Sequence, residues 1–122
     1  LQPVILVGVG NLGSALLRYG GFKKEGFEVA AAFDISPRSQ SDLKIPILNL
    51  SEMRAFIRDR QVKMAILTVP ASSAQEVTNL MVEAGIQAIL NFSPTVLDVP
   101  EHVVVNSVDL AVELENLSYF IR

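Results

Sequence analysis

Three glycines fall within six residues, Gly8-Val9-Gly10-Asn11-Leu12-Gly13, directly after the apolar tetrad Val4-Ile5-Leu6-Val7 and at the start of a stretch with helical periodicity. A G-x-G-x-x-G pattern alone is common by chance; it becomes informative when a strand precedes it, a helix follows it and an acid stands about twenty residues on. Asp34 supplies that acid, closing a second apolar run from Phe27 to Phe33. The chemistry implied is dinucleotide binding. Gly8 would allow the tight turn out of the strand, Gly10 would let the backbone approach a pyrophosphate where a Cβ would clash, and Gly13 would let the helix pack closely on the sheet. The anion would meet the unpaired N–H groups and positive dipole end of the helix beginning near Asn11. Asp34 would accept hydrogen bonds from the adenosine ribose hydroxyls, and its charge repels a 2′-phosphate, which favours NAD(H) over NADP(H). A purely structural glycine turn, with Asp34 as a solvated strand end, is the competing explanation.

Two further segments carry polar groups beside proline: Thr68-Val69-Pro70 and Asn91-Phe92-Ser93-Pro94. Proline just past a strand ends the ladder and fixes the loop, so Thr68, Asn91 and Ser93 would be polar handles in an otherwise apolar pocket wall. Ordinary turn chemistry, with Pro70 starting a helix and Ser93-Pro94 making a turn, explains the same residues without a ligand. His102, the single histidine, has no visible partner set and reads as a surface residue.

These groups need a scaffold, and apolar runs alternating with helical patterns predict βαβ units around a mostly parallel, doubly wound sheet of Rossmann type. The expected order is a strand at Val4–Val7, a helix at Asn11–Tyr19 with Leu12, Ala15, Leu16 and Tyr19 as its apolar stripe, and a strand at Phe27–Asp34. A polar loop from Ser36 to Lys44 leads to a short strand near Ile45–Leu48, and Ser51 is expected to cap a helix with Met53, Phe56 and Ile57 inward. Next come a strand at Lys63–Val69, a helix at Ala71–Ala84 with Ala74, Val77, Met81 and Ala84 on one stripe, and strands at Ile86–Phe92 and Val103–Val105. A last helix is expected from about Ser107 to Ile121. Leu110, Leu114, Leu117 and Ile121 form one apolar stripe on it, and Val108, Val112 and Tyr119 a second face. A helix apolar on two sides asks for two partners, which points to packing between subunits or to complete cover by its own domain.

Composition narrows the possibilities. At 122 residues the chain is one domain, too small for a nucleotide domain plus a separate catalytic one. Half the residues are hydrophobic and 19% are charged, a globular balance, and no apolar run is long enough to cross a membrane. A formal charge of −3 without a lysine or arginine cluster argues against DNA binding by this stretch alone. With no cysteine there is no disulfide, thiolate nucleophile or cysteine metal site, and no metal is expected. A cytoplasmic address is expected. The chain opens on Leu1 rather than methionine, with strand residues almost at once, and reads as a piece of something longer.

Taken together, Gly8 to Leu16, Tyr19, Gly21-Phe22, Phe33-Asp34-Ile35, Ile66 to Pro70, Ala74 to Val77, Ala84-Gly85-Ile86, Ile89 to Pro94 and Val108-Asp109-Leu110 resemble the Rex family of redox-sensing transcriptional repressors. The resemblance runs from Val4 to Ile121. It implies a bacterial regulator that senses the NADH/NAD+ ratio, with a winged-helix DNA-binding domain ahead of the nucleotide-binding domain and absent here. It also implies a homodimer in which the C-terminal helix is exchanged. The division expected is residues 1–106 as the NAD(H)-binding domain and 107–122 as the exchanged dimerisation helix, with operator DNA reached only through the absent domain.

Residue by residue, the resemblance assigns Gly8, Gly10 and Gly13 to the pyrophosphate turn and Asp34 to the adenosine ribose, with Asn11, Leu12 and Ile35 among the cofactor-binding residues. Thr68, Val69 and Pro70 match the loop lining the cofactor, Asn91, Phe92, Ser93 and Pro94 the loop beside the nicotinamide, and Tyr19 an aromatic near that ring. Asp109 matches an acid that couples cofactor state to domain arrangement, although as an N-cap of the last helix it needs no function. Leu110 takes the place of the residue pushed into the partner's nicotinamide pocket. That position is often phenylalanine in the family, and leucine keeps the apolar plug without ring stacking. Asn11 replaces a basic residue found in some members. Two other classes remain open at this point: the nucleotide domain of an NAD-dependent dehydrogenase, which would take its acid or base from a second domain, and a CoA-binding domain of the ligase type.

Overall fold

The computed structural model describes residues 1–38, 40 and 42–121, with positions 110, 112 and 113 described in backbone only. Six strands form one sheet in the order β3-β2-β1-β4-β5-β6: β1 Gln2–Val7, β2 Phe27–Asp34, β3 Ile47–Asn49, β4 Met64–Leu67, β5 Ala88–Asn91 and β6 Val104–Ser107. Every neighbouring pair is parallel, so the sheet is wholly rather than mostly parallel among the described residues. The chain builds outward from β1 to β3, then crosses back and builds outward from β4 to β6. The topological switch point therefore lies between β1 and β4, where such sheets open a crevice at the carboxyl ends of their strands.

The near-continuous apolar strands follow from burial on both faces. Ile5, Val7, Ala65, Leu67 and Ile89 face one core, together with Met53 and Ile57 of helix α3 (Met53–Arg60) and Ala74, Val77, Met81 and Ala84 of helix α4 (Ala71–Ala84). Val4, Leu6, Ala32 and Ile66 face the other, with Leu17 of helix α1 (Asn11–Leu17) and Phe22 of the four-residue helix α2 (Gly21–Lys24) packed there. That second face is only half covered. Phe22, Val29, Met64, Ile66, Leu90 and Val104 line an apolar cavity of about 390 Å³ on it, and Val104 is 60% exposed.

Several boundaries differ from those read in the sequence. The first helix ends at Leu17, with Arg18 as its C-cap, and its buried residues are Gly13 and Leu17. The expected stripe of Leu12, Ala15, Leu16 and Tyr19 is thus turned away: Leu12, Ala15 and Tyr19 are exposed and Leu16 is half-buried. The close approach that glycine permits at position 13 decides which side faces the sheet. The cap before α3 is Asn49, not Ser51. Its side chain accepts from the Ser51 N–H at 2.9 Å while Glu52 accepts from the Asn49 N–H at 3.1 Å, a reciprocal capping box on a 3₁₀ turn at Leu50–Glu52. The last helix, α5, spans Leu110–Ser118, and Ser107 closes β6 instead of opening the helix. Ser39 and Ser41 of the polar loop lie outside the described residues.

One core group is mismatched with its surroundings. Thr78 on α4 is fully buried and its hydroxyl has no hydrogen-bond partner among the described residues. A buried polar group without a partner loses its hydration for nothing in return, whereas a methyl of the same shape loses none. Thr78→Val should therefore raise the unfolding free energy by about 1 kcal/mol, read as a higher denaturation midpoint at unchanged denaturant slope. A fall in stability would show that the hydroxyl has a partner in solution.

Candidate nucleotide-binding site

The turn after β1 is held from both sides. Gly8 N–H donates to the Phe33 carbonyl of β2 at 2.8 Å, and on the other flank Thr68 N–H donates to the Val7 carbonyl at 2.8 Å. Gly8 adopts φ +101°, and a Cβ there would stand 2.8 Å from both the Thr68 carbonyl carbon and the Val69 nitrogen. Gly13 is required for a related reason, since its Cβ would overlap the Gly8 carbonyl oxygen. Gly10 is different. Its φ is −92°, open to any residue, and its Cβ would meet no protein atom within 4 Å. Nothing in the protein's own packing asks for glycine at position 10, which fits a ligand whose pyrophosphate passes close to the backbone there. Gly10 also occupies the N-cap of α1 with no side chain to bond the first-turn N–H groups, leaving them for an anion.

Asp34 is built into this turn. Its Oδ2 accepts from Val9 N–H at 2.7 Å and its Oδ1 from Ser36 N–H at 3.1 Å. The two amides fix the carboxylate beside the glycine turn and leave lone pairs for vicinal hydroxyls of a ribose. The loop beyond it is tied back to α1: Gln40 Nε2 donates to Ser14 Oγ at 3.1 Å, and Arg18 Nε pairs with Asp42 Oδ2 at 2.7 Å. The bond from Arg18 holds the Asp42 carboxyl below its ordinary value and raises the guanidinium. A carboxyl lowered by folding stabilises above the ordinary carboxylate range, and that contribution is lost as pH falls through the lowered value. The pair is exposed and adds little to stability.

At the other end of the edge a cleft of about 520 Å³ is lined by Leu12, Phe92, Ser93, Pro94, Val108 and Asp109 among others. The structure thus brings the glycine turn, the loop after β5 and the start of α5 together. The exposed Val96 also lines the cleft, and only its place two residues after Pro94 could have pointed to it. The expected polar handles behave otherwise. Thr68 Oγ1 donates to the carbonyls of Val7 (3.2 Å) and Gly8, and Ser93 Oγ donates to the Val69 carbonyl at 2.5 Å. Asn91, fully buried, accepts from Ser93 N–H at 2.9 Å and donates to the Thr95 carbonyl at 3.0 Å. All three polar groups hold the loops in place, Ser93 while also bordering the cleft, because each sits where a strand end leaves backbone groups to be satisfied. Val69 is half-buried against the α3–α4 core, Ile35 is 75% exposed, and Pro70 is the N-cap of α4.

Tyr19 is not in this cleft. It lies beyond the end of α1, packs edge-on against Phe22 with ring centroids 4.9 Å apart, and borders the apolar cavity near the amino ends of the strands. Asp109 does cap α5, accepting from Ala111 N–H at 3.0 Å. The side chain of Leu110 lies outside the described residues, and His102 is exposed. Among the described residues no cluster of His, Cys, Asp and Glu could hold a metal ion, and no helix is long and apolar enough to cross a membrane.

Known proteins share this fold. A family model described as a CoA binding domain matches residues 1–95. The chain belongs to the CoA-binding domain family. Within it, the resemblance to Rex is borne out. The chain is 45% identical over 119 residues to a redox-sensing transcriptional repressor Rex of Streptomyces coelicolor, covering 96% of this chain and 46% of that protein. The crystal structure of RSP, a Rex-family repressor, in complex with beta-NADH superposes with a TM-score of 0.90 at 35% identity, covering 98% of this chain and 58% of that one. RSP in complex with beta-NAD+ and operator DNA gives 0.88 at 35% identity, over 98% of this chain and 56% of that one. The chain spans about half the length of the curated Rex relatives it matches.

The glycines separate by experiment. Gly8→Ala forces a Cβ into backbone at positive φ, and its cost should exceed about 2 kcal/mol of stability. Gly10→Ala should cost less than about 1 kcal/mol, the difference between glycine and alanine at an N-cap. Chemical denaturation of the two variants checks this, and equal losses would contradict the division of roles.

Proposed function

We propose that residues 1–106 bind NADH and NAD+ and that residues 107–122 are a helix exchanged between the subunits of a homodimer, the whole being the sensing half of a bacterial redox-responsive repressor. The observation that carries this reading is the anchored Asp34 carboxylate beside a glycine turn whose Gly10 has no structural reason to be glycine. Support for exchange comes from α5 and its tail, where Leu114, Leu117, Phe120 and Ile121 are 61–85% exposed. The half-covered apolar sheet face is the kind of surface such a helix can cover.

Redox discrimination follows from charge. The oxidised nicotinamide is cationic and the reduced one neutral, so the apolar cleft walls from Leu12, Phe92, Pro94 and Val96 penalise burial of the first more than the second. Leu110 of one subunit, as the resemblance assigns it, would complete that wall in the partner. NADH should bind tighter; a tenfold preference requires only about 1.4 kcal/mol. Because Asp109 starts α5 at the mouth of the same cleft, seating NADH favours one subunit arrangement over another. In the longer protein that shift would move DNA-binding domains off operator spacing and relieve repression. DNA contact belongs to the part of the relatives that this chain does not span. The same reading makes the chain a cytoplasmic regulator without catalysis or a metal.

Asp34 also argues against coenzyme A, whose ribose carries a 3′-phosphate, and against NADPH with its 2′-phosphate, since either would face the carboxylate. Titration with NADH, NADPH and coenzyme A should show NADH bound at least about tenfold tighter than the other two. Asp34→Ser should weaken NADH and narrow that gap. Coenzyme A binding tighter than NADH would overturn the assignment.

A further inference from the structure

We propose that Asn91 is the positioning residue that links the loop beside the cleft to the root of α5, through the hydroxyl of Ser107. The inference rests on reading that cleft as the nicotinamide site and α5 as the dimer element. Asn91 is the last residue of β5, fully buried, in register with Leu67 on one side and Ser107 on the other. Its amide reaches three ways. Oδ1 accepts from Ser93 N–H at 2.9 Å, and Nδ2 donates to the Thr95 carbonyl at 3.0 Å and to Ser107 Oγ at 3.3 Å. Its backbone carbonyl accepts from Val108 N–H at 2.8 Å. One planar amide thus holds Ser93 and Thr95 on one side and the end of β6 on the other, two residues before the Asp109 cap of α5.

The geometry leaves little slack. Ser93 is itself pinned to the Val69 carbonyl of the loop after β4, so a ring seated against Phe92, Ser93 and Pro94 moves a segment already tied to the neighbouring strand end. A buried amide with both donors and its acceptor in use cannot rotate without stranding polar groups, which costs more than shifting its partners together. Displacement of the Ser93–Thr95 segment is therefore passed to Ser107 and on to the start of α5. Among the described residues the hydroxyl of Thr68 bonds only carbonyls of β1 and the glycine turn, and it has no such path to the helix there.

Ser107→Ala breaks the link at an exposed position and leaves Asn91 held by Ser93 and Thr95. The dimer dissociation constant of this chain is measured by sedimentation with NADH and with NAD+, alongside the affinity for each form at dilutions where the chain is monomeric. The wild-type dimer should be at least about tenfold tighter with NADH than with NAD+, and by reciprocity the preference for NADH over NAD+, taken over the two sites, should rise by the same factor on dimerisation. Ser107 also lines the cleft, so both ligands are held at saturation; in Ser107→Ala the dimer ratio should then fall to about twofold or less, and Ser107→Thr should restore it. A Ser107→Ala ratio equal to wild type overturns the link while the functional reading stands. A wild-type dimer indifferent to the form of the nicotinamide overturns both.

Discussion

The backbone at Gly8 passes so close to the backbone of Thr68 and Val69 that no side chain fits between them. That approach is the constraint on which the carboxyl edge depends. It lets β1 and β4 stay paired to their ends, through Thr68 N–H to the Val7 carbonyl, while the chain turns left-handed into α1. Gly13 repeats the condition one helical turn on by resting against the Gly8 carbonyl. With the turn fixed, Val9 N–H points at Asp34, and the acid proposed to hold the ribose is set by backbone geometry rather than by a flexible contact. Gly10, free of all these restraints, marks the place where the site faces outward.

The polar side chains of the edge serve a second purpose. A parallel sheet ends in a row of strand termini whose loops carry backbone groups that water cannot reach, and those groups need partners. Thr68, Ser93 and Asn91 supply them, each bonding carbonyls or N–H groups of the next loop. The cleft wall left to a ligand is thereby mostly apolar, which suits a pocket that must distinguish a neutral ring from a charged one. Rigidity of the loops and the proposed selectivity of the pocket would come from the same inward-turned groups.

Much of this was legible in the residues, and the failures have physical causes. Strand identities and the inward stripe of α4 followed from apolar runs and spacing, because burial on both sheet faces leaves an unbroken signal. The glycine turn and Asp34 followed from spacing read together with the strand before the turn and the helix after it. The facing of α1 did not, since Leu12, Ala15 and Tyr19 spell a stripe but the sheet accepts only the side where Gly13 lets it approach. Asn49 was missed as a cap because it ends a strand, where asparagine is unexpected, while Ser51 stood nearer the apolar pattern. Thr68 and Asn91 looked like ligand handles because sequence shows that a polar group is present but not which way it turns. Tyr19, placed near the nicotinamide by resemblance, belongs within one subunit to the opposite end of the sheet.

The central claim is that this edge binds a nicotinamide dinucleotide and distinguishes its two redox forms. Calorimetric titration of the chain with NADH and, separately, with NAD+ at one fixed salt concentration tests it directly. The account predicts NADH bound at least about tenfold tighter, a difference of about 1.4 kcal/mol. Equal affinities would leave a nucleotide-binding module that does not sense, and failure to bind either form would contradict the role given to Gly10 and Asp34.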